Sequence, residues 1–238
     1  MVIKVNITER AETLDTFVKQ WTGEMRHMYR EIPLFDMNSV KSLTPEQKAY
    51  FAKVFYHLRG HAHELLWITG SSSPNLEAKS AILDNYTDEF GKTGKSHEQL
   101  YLKFAKALDV DLSTEYAHEK FYLPFAREFN RDHLRYFIHG DWETKASSFA
   151  AIELLDNVDY PLLYSLGKSF GINESSLSFF KVHIPVEHYD QASEAFGLKT
   201  IWNRNSRKVT DAFKFIGEHQ IKMWNELGRV VLSYNGEL

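Results

Sequence analysis

The sequence predicts an all-α protein, a bundle of seven or eight helices. Apolar residues recur with a period near 3.6 along most of the chain, and few stretches alternate apolar and polar residues as strands do. Only six prolines and twelve glycines occur in 238 residues, and no Pro-rich or Gly/Ser-rich run separates two regions of different composition. Since 43% of the residues are hydrophobic, we expect residues 1–238 to fold as a single helical domain.

Capping and helix-breaking residues place the first helices. One helix is predicted from about Glu9 to Tyr29, ahead of Pro33. A second begins in "TPEQ", where Thr44 is the N-cap, and runs from Pro45 to about Thr69. Both are long enough to contribute a full side of a helical bundle.

The remaining helices are delimited by the same kinds of residue. They are predicted over residues 74–90, 97–108, 114–139, 142–170, 179–190 and 211–227. Pro124 and Pro161 fall inside the two longest of these helices, which we expect to be kinked or interrupted there.

Charge and cysteine content exclude several functional classes. The net charge of −4 comes from interspersed acidic and basic residues, so no basic stripe is available to bind nucleic acid. The absence of cysteine excludes disulfides, thiolate metal sites and cysteine nucleophiles, and it is consistent with a reducing compartment. The first residues, "MVIKVNITERAETLD", lack an apolar core, and no 18-residue apolar window occurs, so we expect a soluble, cytoplasmic protein with no membrane partner.

A late segment, "FFKVHIPVEHYD", carries residues that bind metals. His183, Glu187 and Asp190 stand at i, i+4 and i+7, which would place them on one face of a helix. Imidazole combined with carboxylates suits iron or manganese, although such a face on its own is more often simply solvated. Pro185 lies in this segment and is accommodated only in the first turn of a helix, so we expect an irregular end here.

Three more candidates lie earlier in the chain. Glu153, in "SSFAAIELLDNV", has mostly apolar neighbours, and a carboxylate in such a place is costly to bury unless it is paired or metal-bound. Glu89 and His97 bracket a short loop in "DNYTDEFGKTGKSH", one at a helix end and the other at the next helix start. Taken singly, Glu89 and His97 are equally compatible with ordinary surface positions.

The order of these motifs resembles the heme-oxygenase-like diiron oxidase family over about residues 15–228. The resemblance implies a heme-oxygenase-like bundle of seven to eight helices, in which carboxylates and histidines bind two irons. Carried onto this sequence, it implies that the metal ligands, which are also the catalytic residues, are Glu89, His97, Glu153, His183, Glu187 and Asp190. Glu153 would bridge the two irons. The family usually has Asp and His where this chain has Glu187 and Asp190, so the second site has one imidazole fewer.

The same resemblance implies an activity. A non-heme diiron oxidase or oxygenase would use two ferrous ions, or a manganese and iron pair, together with dioxygen and an external reductant. The expected reaction is desaturation, N-oxygenation or oxidative C–C cleavage of a small carboxylate substrate, amino-acid-derived, in specialised biosynthesis (a natural-product pathway). Residues that could bind that carboxylate are Arg127, Arg131, Arg135 and Lys168. A homodimer is compatible with a bundle of this size.

Alternative interpretations remain open at this stage. A second metal-competent set on one helix consists of His57, His61 and Glu64. A ferritin-like di-iron protein would use the pairs Glu24–His27 and Glu115–His118. A true heme oxygenase would use a histidine of the first helix, His27, as its iron ligand. A non-enzymatic helical interaction protein would leave all of these side chains solvated.

Overall fold

A computed structural model describes residues 13–59, 62–92, 94–184 and 188–236. These ranges contain helices and connecting segments and no strand, so the predicted all-α class is confirmed. In chain order the helices are α1 (Leu14–Arg30), α2 (Met37–Val40), α3 (Pro45–Arg59), α4 (Ala62–Ser71), α5 (Leu76–Glu89), α6 (His97–Lys106), α7 (Glu115–His118), α8 (Pro124–His139), α9 (Trp142–Ser169), α10 (Ser178–Val182), α11 (His188–Ala195) and α12 (Leu198–Leu232). Short 3-10 turns occur at Pro33–Phe35 and Glu174–Leu177.

Side-chain caps set several of these boundaries. The Thr44 hydroxyl accepts from the Gln47 amide while the Gln47 side chain accepts from the Thr44 amide, which is the capping box predicted for "TPEQ". Ser96 and Gln99 form a second capping box at the start of α6. The start of α6 is therefore fixed at His97, one of the candidate ligands. The Asp141 carboxylate caps α9 by accepting a hydrogen bond from the Thr144 amide.

The segment predicted to be helical over 114–139 consists of two helices, and it is interrupted before Pro124, where the sequence predicted a kink or an interruption. Glu119 adopts left-handed backbone angles at the end of α7 (φ 47°), and Pro124 is the first residue of α8. Proline has no amide hydrogen and clashes with a preceding turn, so it begins a helix more readily than it continues one.

The segment around His183 also differs from prediction. α10 ends at Val182 and α11 begins at His188, while His183 and Ile184 lie outside both helices. A single helix over 179–190 is therefore wrong at 183 and 184, and residues 185–187 lie outside the described residues. His183 and Asp190 thus do not share one helix face.

The other helix boundaries differ less from the predicted ones. α9 covers the predicted 142–170 helix and includes Pro161 without a break. The predicted 211–227 helix is the middle of the longer α12, which bends at Asn205 (φ −155°, ψ 76°). Residues 9–12 of the first predicted helix, and residues 60 and 61 between α3 and α4, are outside the described residues.

The core is rich in aromatic side chains that lie between α9 and the helices around it. Trp21 of α1 packs edge to face against Phe213 of α12, with ring centroids 4.9 Å apart. Phe55 of α3 stacks on Trp224 of α12 at 5.6 Å. The buried hydrophobic residues form one continuous cluster from α1 to α12. Among the described residues, no helix has the length and apolarity needed to span a bilayer.

Candidate metal centre

Three potential metal ligands come together where α5, α6 and α10 meet. Glu89 is the last residue of α5, His97 is the first of α6, and His183 directly follows α10. One ligand atom from each lies within 4.8 Å of the other two. Side chains from three separate parts of the chain are therefore close enough together to bind a single metal ion.

A tight loop brings Glu89 and His97 together. Gly91 has a φ of 80°, a conformation that residues with a Cβ rarely adopt. A Cβ placed on Gly91 would lie 2.5 Å from the Ser96 amide nitrogen, the backbone just before His97. The glycine in "EFGKTGKSH" therefore permits the close return of the chain from α5 to α6.

His183 is held by contacts that leave one ring nitrogen free to bind a metal. Its Nδ1 donates to the Phe179 carbonyl oxygen at 2.7 Å, so Nε2 remains as the ligand atom. Tyr160 of α9 stacks on the ring at a centroid distance of 3.9 Å. Burial, followed by the nearby His97, lowers the pKa of His183 to about 3. His183 is therefore neutral near pH 7, the form that coordinates metals.

Glu89 is ionised in this site. Its Oε1 lies 2.8 Å from Nδ1 of His97, and its Oε2 lies 3.6 Å from Nε2 of His63. Burial opposes ionisation, but the interactions with His63 and His97 outweigh it and hold the pKa of Glu89 well below its usual range. An ionised carboxylate next to two imidazoles is a strong donor set for a divalent cation.

Glu153, on α9, lines the same cavity as Glu89, His97 and His183. Its side chain is only 9% exposed and has no hydrogen-bond or ion-pair partner among the described residues. Burial, and then repulsion from Glu89, raise the pKa of Glu153 to about 8. A buried carboxylate with no partner is unfavourable unless a cation compensates it, so Glu153 is a residue that a metal would stabilise.

These side chains border a cavity of about 200 Å³. Apolar residues of α3, α4, α9 and α12 form much of its wall. The carboxylates that line it are Asp88, Glu89, Glu153, Asp156 and Asp159. Among the described lining residues Arg59 is the only arginine or lysine, so the carboxyl groups of the cavity wall outnumber its permanent cations.

Arg59 enters the cavity wall from α3. Its side chain is 10% exposed and lies over the rings of Tyr101 and Phe179, at 5.1 and 4.9 Å from the centroids. Nη1 donates to Glu98 Oε2 at 2.7 Å, while Nε has no hydrogen-bond partner among the described residues. Of the four cations considered from sequence, none lines this cavity. Arg59 was missed because no local pattern distinguishes it from other helix arginines.

Asp156 and Asp159 were also missed as cavity residues. Oδ2 of Asp159 accepts from Gln220 at 2.7 Å and from the indole of Trp224 at 3.1 Å. Asp156 has no partner among the described residues, and its pKa is raised by burial and then by Glu153. The sequence does carry a signal for both. With Glu153 they follow each other at intervals of three among mostly apolar neighbours, a pattern that places carboxylates along one face.

The last two predicted ligands are not part of this group. Glu187 lies outside the described residues. Asp190 is in the first turn of α11 and exposed, and the structure does not bring it to Glu89, His97 and His183. The break after α10 is the reason, because it removes the helical register that would have aligned Asp190 with His183.

The alternative ligand sets are not assembled. Nε2 of His57 lies 2.7 Å from Oε1 of Glu115, and both side chains are buried, away from the three grouped ligands. Glu64 and His118 are exposed, and His61 is outside the described residues. His27 is exposed on α1, whose buried face consists of residues such as Met25 and Tyr29. The described residues therefore offer no ferritin-like site and no inward-facing His27.

The donor set fits iron. Two imidazoles and several carboxylates without thiolate suit ferrous and manganous ions. Glu153 supplies an independent observation, since it is a buried carboxylate that lacks a compensating partner. The residues present thus match the metal that the sequence resemblance implies.

Comparisons with known proteins agree with the fold and with the metal. A solved structure described as a CADD-like protein of unknown function from Nostoc punctiforme superposes with a TM-score of 0.68 at 15% identity, covering 93% of this chain and 98% of that one. A domain of unknown function with a heme oxygenase-like fold from Shewanella denitrificans gives 0.65 at 14% identity and covers 93% of both chains. A second structure of the Nostoc protein gives 0.64 at 16% identity, with 91% and 99% coverage.

The predicted heme-oxygenase-like fold is confirmed by these superpositions. No curated protein matches this sequence. A family model described as "iron-containing redox enzyme" matches residues 49–204, which span α3 to the start of α12 and include Glu89, His97, Glu153 and His183. The chain belongs to the iron-containing redox enzyme family.

Proposed function

We propose that this protein is a non-heme diiron enzyme that uses dioxygen to oxidise a small carboxylate substrate. The observation that carries the proposal is that Glu89, His97 and His183 converge on the wall of a cavity that Glu153, a buried carboxylate without a partner among the described residues, also lines. The chain belongs to an iron-containing redox enzyme family, which supports iron as the metal. One ion would bind to the three grouped residues and a second would bind at Glu153.

The protonation states of two site residues are suited to metal binding before any substrate enters. Neutral His183 and ionised Glu89 are already in the forms that coordinate, whereas Glu153 must release its proton when a cation arrives. Bound ferrous ions would supply electrons to dioxygen. The apolar wall excludes water from the site and so favours reaction with the substrate over loss of oxidising equivalents to solvent.

Arg59 is the group we propose for the substrate carboxylate. It is the described lining residue with a permanent positive charge, and its Nε is unpaired. Asp159 also lines the cavity and is not a proposed metal ligand, so it is placed to pair with a substrate amine, which is consistent with an amino-acid derivative. The cavity volume of about 200 Å³ restricts the substrate to a small molecule.

The reaction requires an external reductant. If one oxygen atom enters the substrate, the other becomes water, and two electrons and two protons come from the reductant. If the substrate is desaturated, it loses two hydrogens, and a further two electrons and two protons reduce both oxygen atoms to water. Oxidative C–C cleavage is the third reaction in this class. Heme oxygenase is not favoured, because the histidine it would need, His27, is exposed on α1.

The test is an anaerobic ferrous titration of metal-free protein followed by rapid mixing with oxygen. Wild type should bind two ferrous ions per chain and give an absorbance transient after mixing. Glu153→Gln should bind one ion and lose the transient. The matched control, His57→Gln, removes a buried ring nitrogen outside the site and should behave as wild type. Failure of wild type to bind iron, or tight binding of heme with a Soret band, contradicts the proposal.

A further inference from the structure

Asp156 is positioned to contact an ion bound by Glu153. It lies one helical turn after Glu153 on α9, and side chains three apart on a helix are neighbours, about 5–6 Å between Cβ atoms. Both residues line the cavity. The side chain of Asp156 is half-buried and makes no hydrogen bond or ion pair with any residue that the structure describes. Two unpaired carboxylates of one helix face therefore enter the same cavity side by side.

The charges around Asp156 are unfavourable without a cation. Its acidic neighbours are Glu153, Asp159 and Glu89, in that order of influence. Oδ2 of Asp159 is engaged by Gln220 and Trp224, and Glu89 is engaged by His97, so these two have other partners. Glu153 and Asp156 have none among the described residues, and Glu153 is nine-tenths buried. A divalent cation between them would offset the repulsion and the burial together.

Among the described residues, the segment after α10 brings no carboxylate to the grouped side chains. Asp190, expected there from sequence, is exposed on α11 and is separated from His183 by the break after α10. Glu153 alone would give the second ion a single described ligand outside the Glu89, His97 and His183 group. Asp156 supplies another from the same rigid helix.

We propose that Asp156 is a ligand of the second metal ion, beside Glu153, in the place that Asp190 would have taken. This inference rests on the proposed dinuclear function. The second ion would then have a site richer in carboxylate than the first, because the two histidines serve the first ion. Carboxylate ligands favour harder ions. The affinity of the second site for Mn²⁺, relative to its affinity for Fe²⁺, should therefore be at least as high as the same ratio at the first site.

The test compares metal binding by wild type, Asp156→Asn and Asp88→Asn. Asp88 also lines the cavity but is exposed, so Asp88→Asn removes one neighbouring negative charge without removing a proposed ligand. Metal-free protein is titrated with Mn²⁺ under anaerobic conditions, free metal is separated, and bound manganese is counted. Electron paramagnetic resonance then distinguishes a coupled pair of ions from an isolated one.

Wild type and Asp88→Asn should bind two ions and show the coupled signal. Asp156→Asn should keep the first ion, bind the second about 10- to 100-fold more weakly, and show the isolated six-line signal. If Asp156→Asn binds two coupled ions as tightly as wild type, the inference is overturned while the dinuclear function stands. If wild type itself does not bind two ions, the proposed function fails and the inference fails with it.

A second measurement guards against a folding effect. Asp156→Asn removes an unpaired charge from metal-free protein, so its melting temperature without metal should equal or exceed that of wild type. Saturating Mn²⁺ should raise the melting temperature of wild type more than that of the variant. Asp156→Glu retains a carboxylate and should restore a coupled pair. Loss of the second ion in Asp156→Glu as well as in Asp156→Asn, with both folded, would show that Asp156 shapes the helix rather than binding metal.

Discussion

The phenol ring of Tyr160 stacks face to face on the imidazole of His183, with centroids 3.9 Å apart and ring planes 3° apart. Tyr160 lies seven residues after Glu153, so both are on the same face of α9. The Phe179 carbonyl accepts from Nδ1 of the same imidazole at 2.7 Å. Helix α9 thus carries the proposed ligand Glu153, and its Tyr160 also orients His183, which follows α10.

This stacking predicts different effects for two substitutions at Tyr160. Tyr160→Ala frees the His183 ring to rotate and should weaken binding of the first metal ion by about 10- to 100-fold, as loss of an orienting neighbour does at other metal sites. Tyr160→Phe keeps the stack and should bind metal as wild type does. The measurement is the dissociation constant for Fe²⁺ by anaerobic titration. Equal affinity in Tyr160→Ala and wild type would show that the stack does not orient the ligand.

Gly91 predicts a loss of metal binding through the backbone. Gly91→Ala forces a Cβ into left-handed backbone angles, which costs about 1–2 kcal/mol, and places it against the Ser96 amide. The loop must open, which separates Glu89 from His97, so uptake of Fe²⁺ should fall. Gly94→Ala is the control in the same loop, because a Cβ there meets nothing within 4 Å. If the two alanine variants bind iron equally well, the loop does not set the site geometry.

The buried pair of His57 and Glu115 predicts a change in stability without a change in metal binding. His57→Leu leaves Glu115 buried without that partner, which should lower the free energy of unfolding by about 3–5 kcal/mol. The double variant with Glu115→Met should recover much of that loss. Denaturant unfolding measures both. Iron stoichiometry should stay at the wild-type value in each variant, and a loss of iron would indicate that this histidine set takes part in the site.

Asp159 predicts a pH dependence of stability in the metal-free protein. Burial raises the pKa of Asp159 to about 7, against opposing interactions with Tyr29, Gln220 and Trp224. Because the folded pKa lies above the usual aspartate value of 3.8, the folded state binds the extra proton. The associated stability is fully present below about pH 4 and is lost as the pH rises through about 7, at most about 4 kcal/mol.

The check is urea unfolding of wild type and Asp159→Asn at several pH values between 5 and 8. Glu153 and Asp156 have raised pKa values too and contribute in the same direction, so the comparison isolates the share of Asp159. The variant should lose less stability than wild type as the pH rises. Parallel curves for the two proteins would mean that Asp159 does not titrate in this range.

Local signals were enough to predict the fold class and to single out Glu89 and His97 as candidate ligands. The 3.6-residue period, the Thr44 capping box and the short loop between Glu89 and His97 depend on nearby residues, and the structure reproduces them. Glu153 stood out because a carboxylate among apolar residues is costly to bury. These features are set within one or two turns of the chain, where sequence is informative.

The rest depends on contacts between distant parts of the chain. Asp190 was predicted from a helical register that the break at His183 and Ile184 interrupts. Arg59 reaches the cavity because α3 packs beside Tyr101 and Phe179, which no local pattern encodes. Asp156 could have been recognised from its spacing to Glu153, but spacing alone does not tell which helix face meets the cavity.

The most direct test of a dinuclear centre is a crystal structure of protein loaded anaerobically with Fe²⁺, with anomalous diffraction recorded on both sides of the iron edge. We expect two iron peaks in each chain, one bound by Glu89, His97 and His183 and the other beside Glu153. A single peak at another group of residues, a heme bound through His27, or a crystal without iron at these four side chains would contradict it.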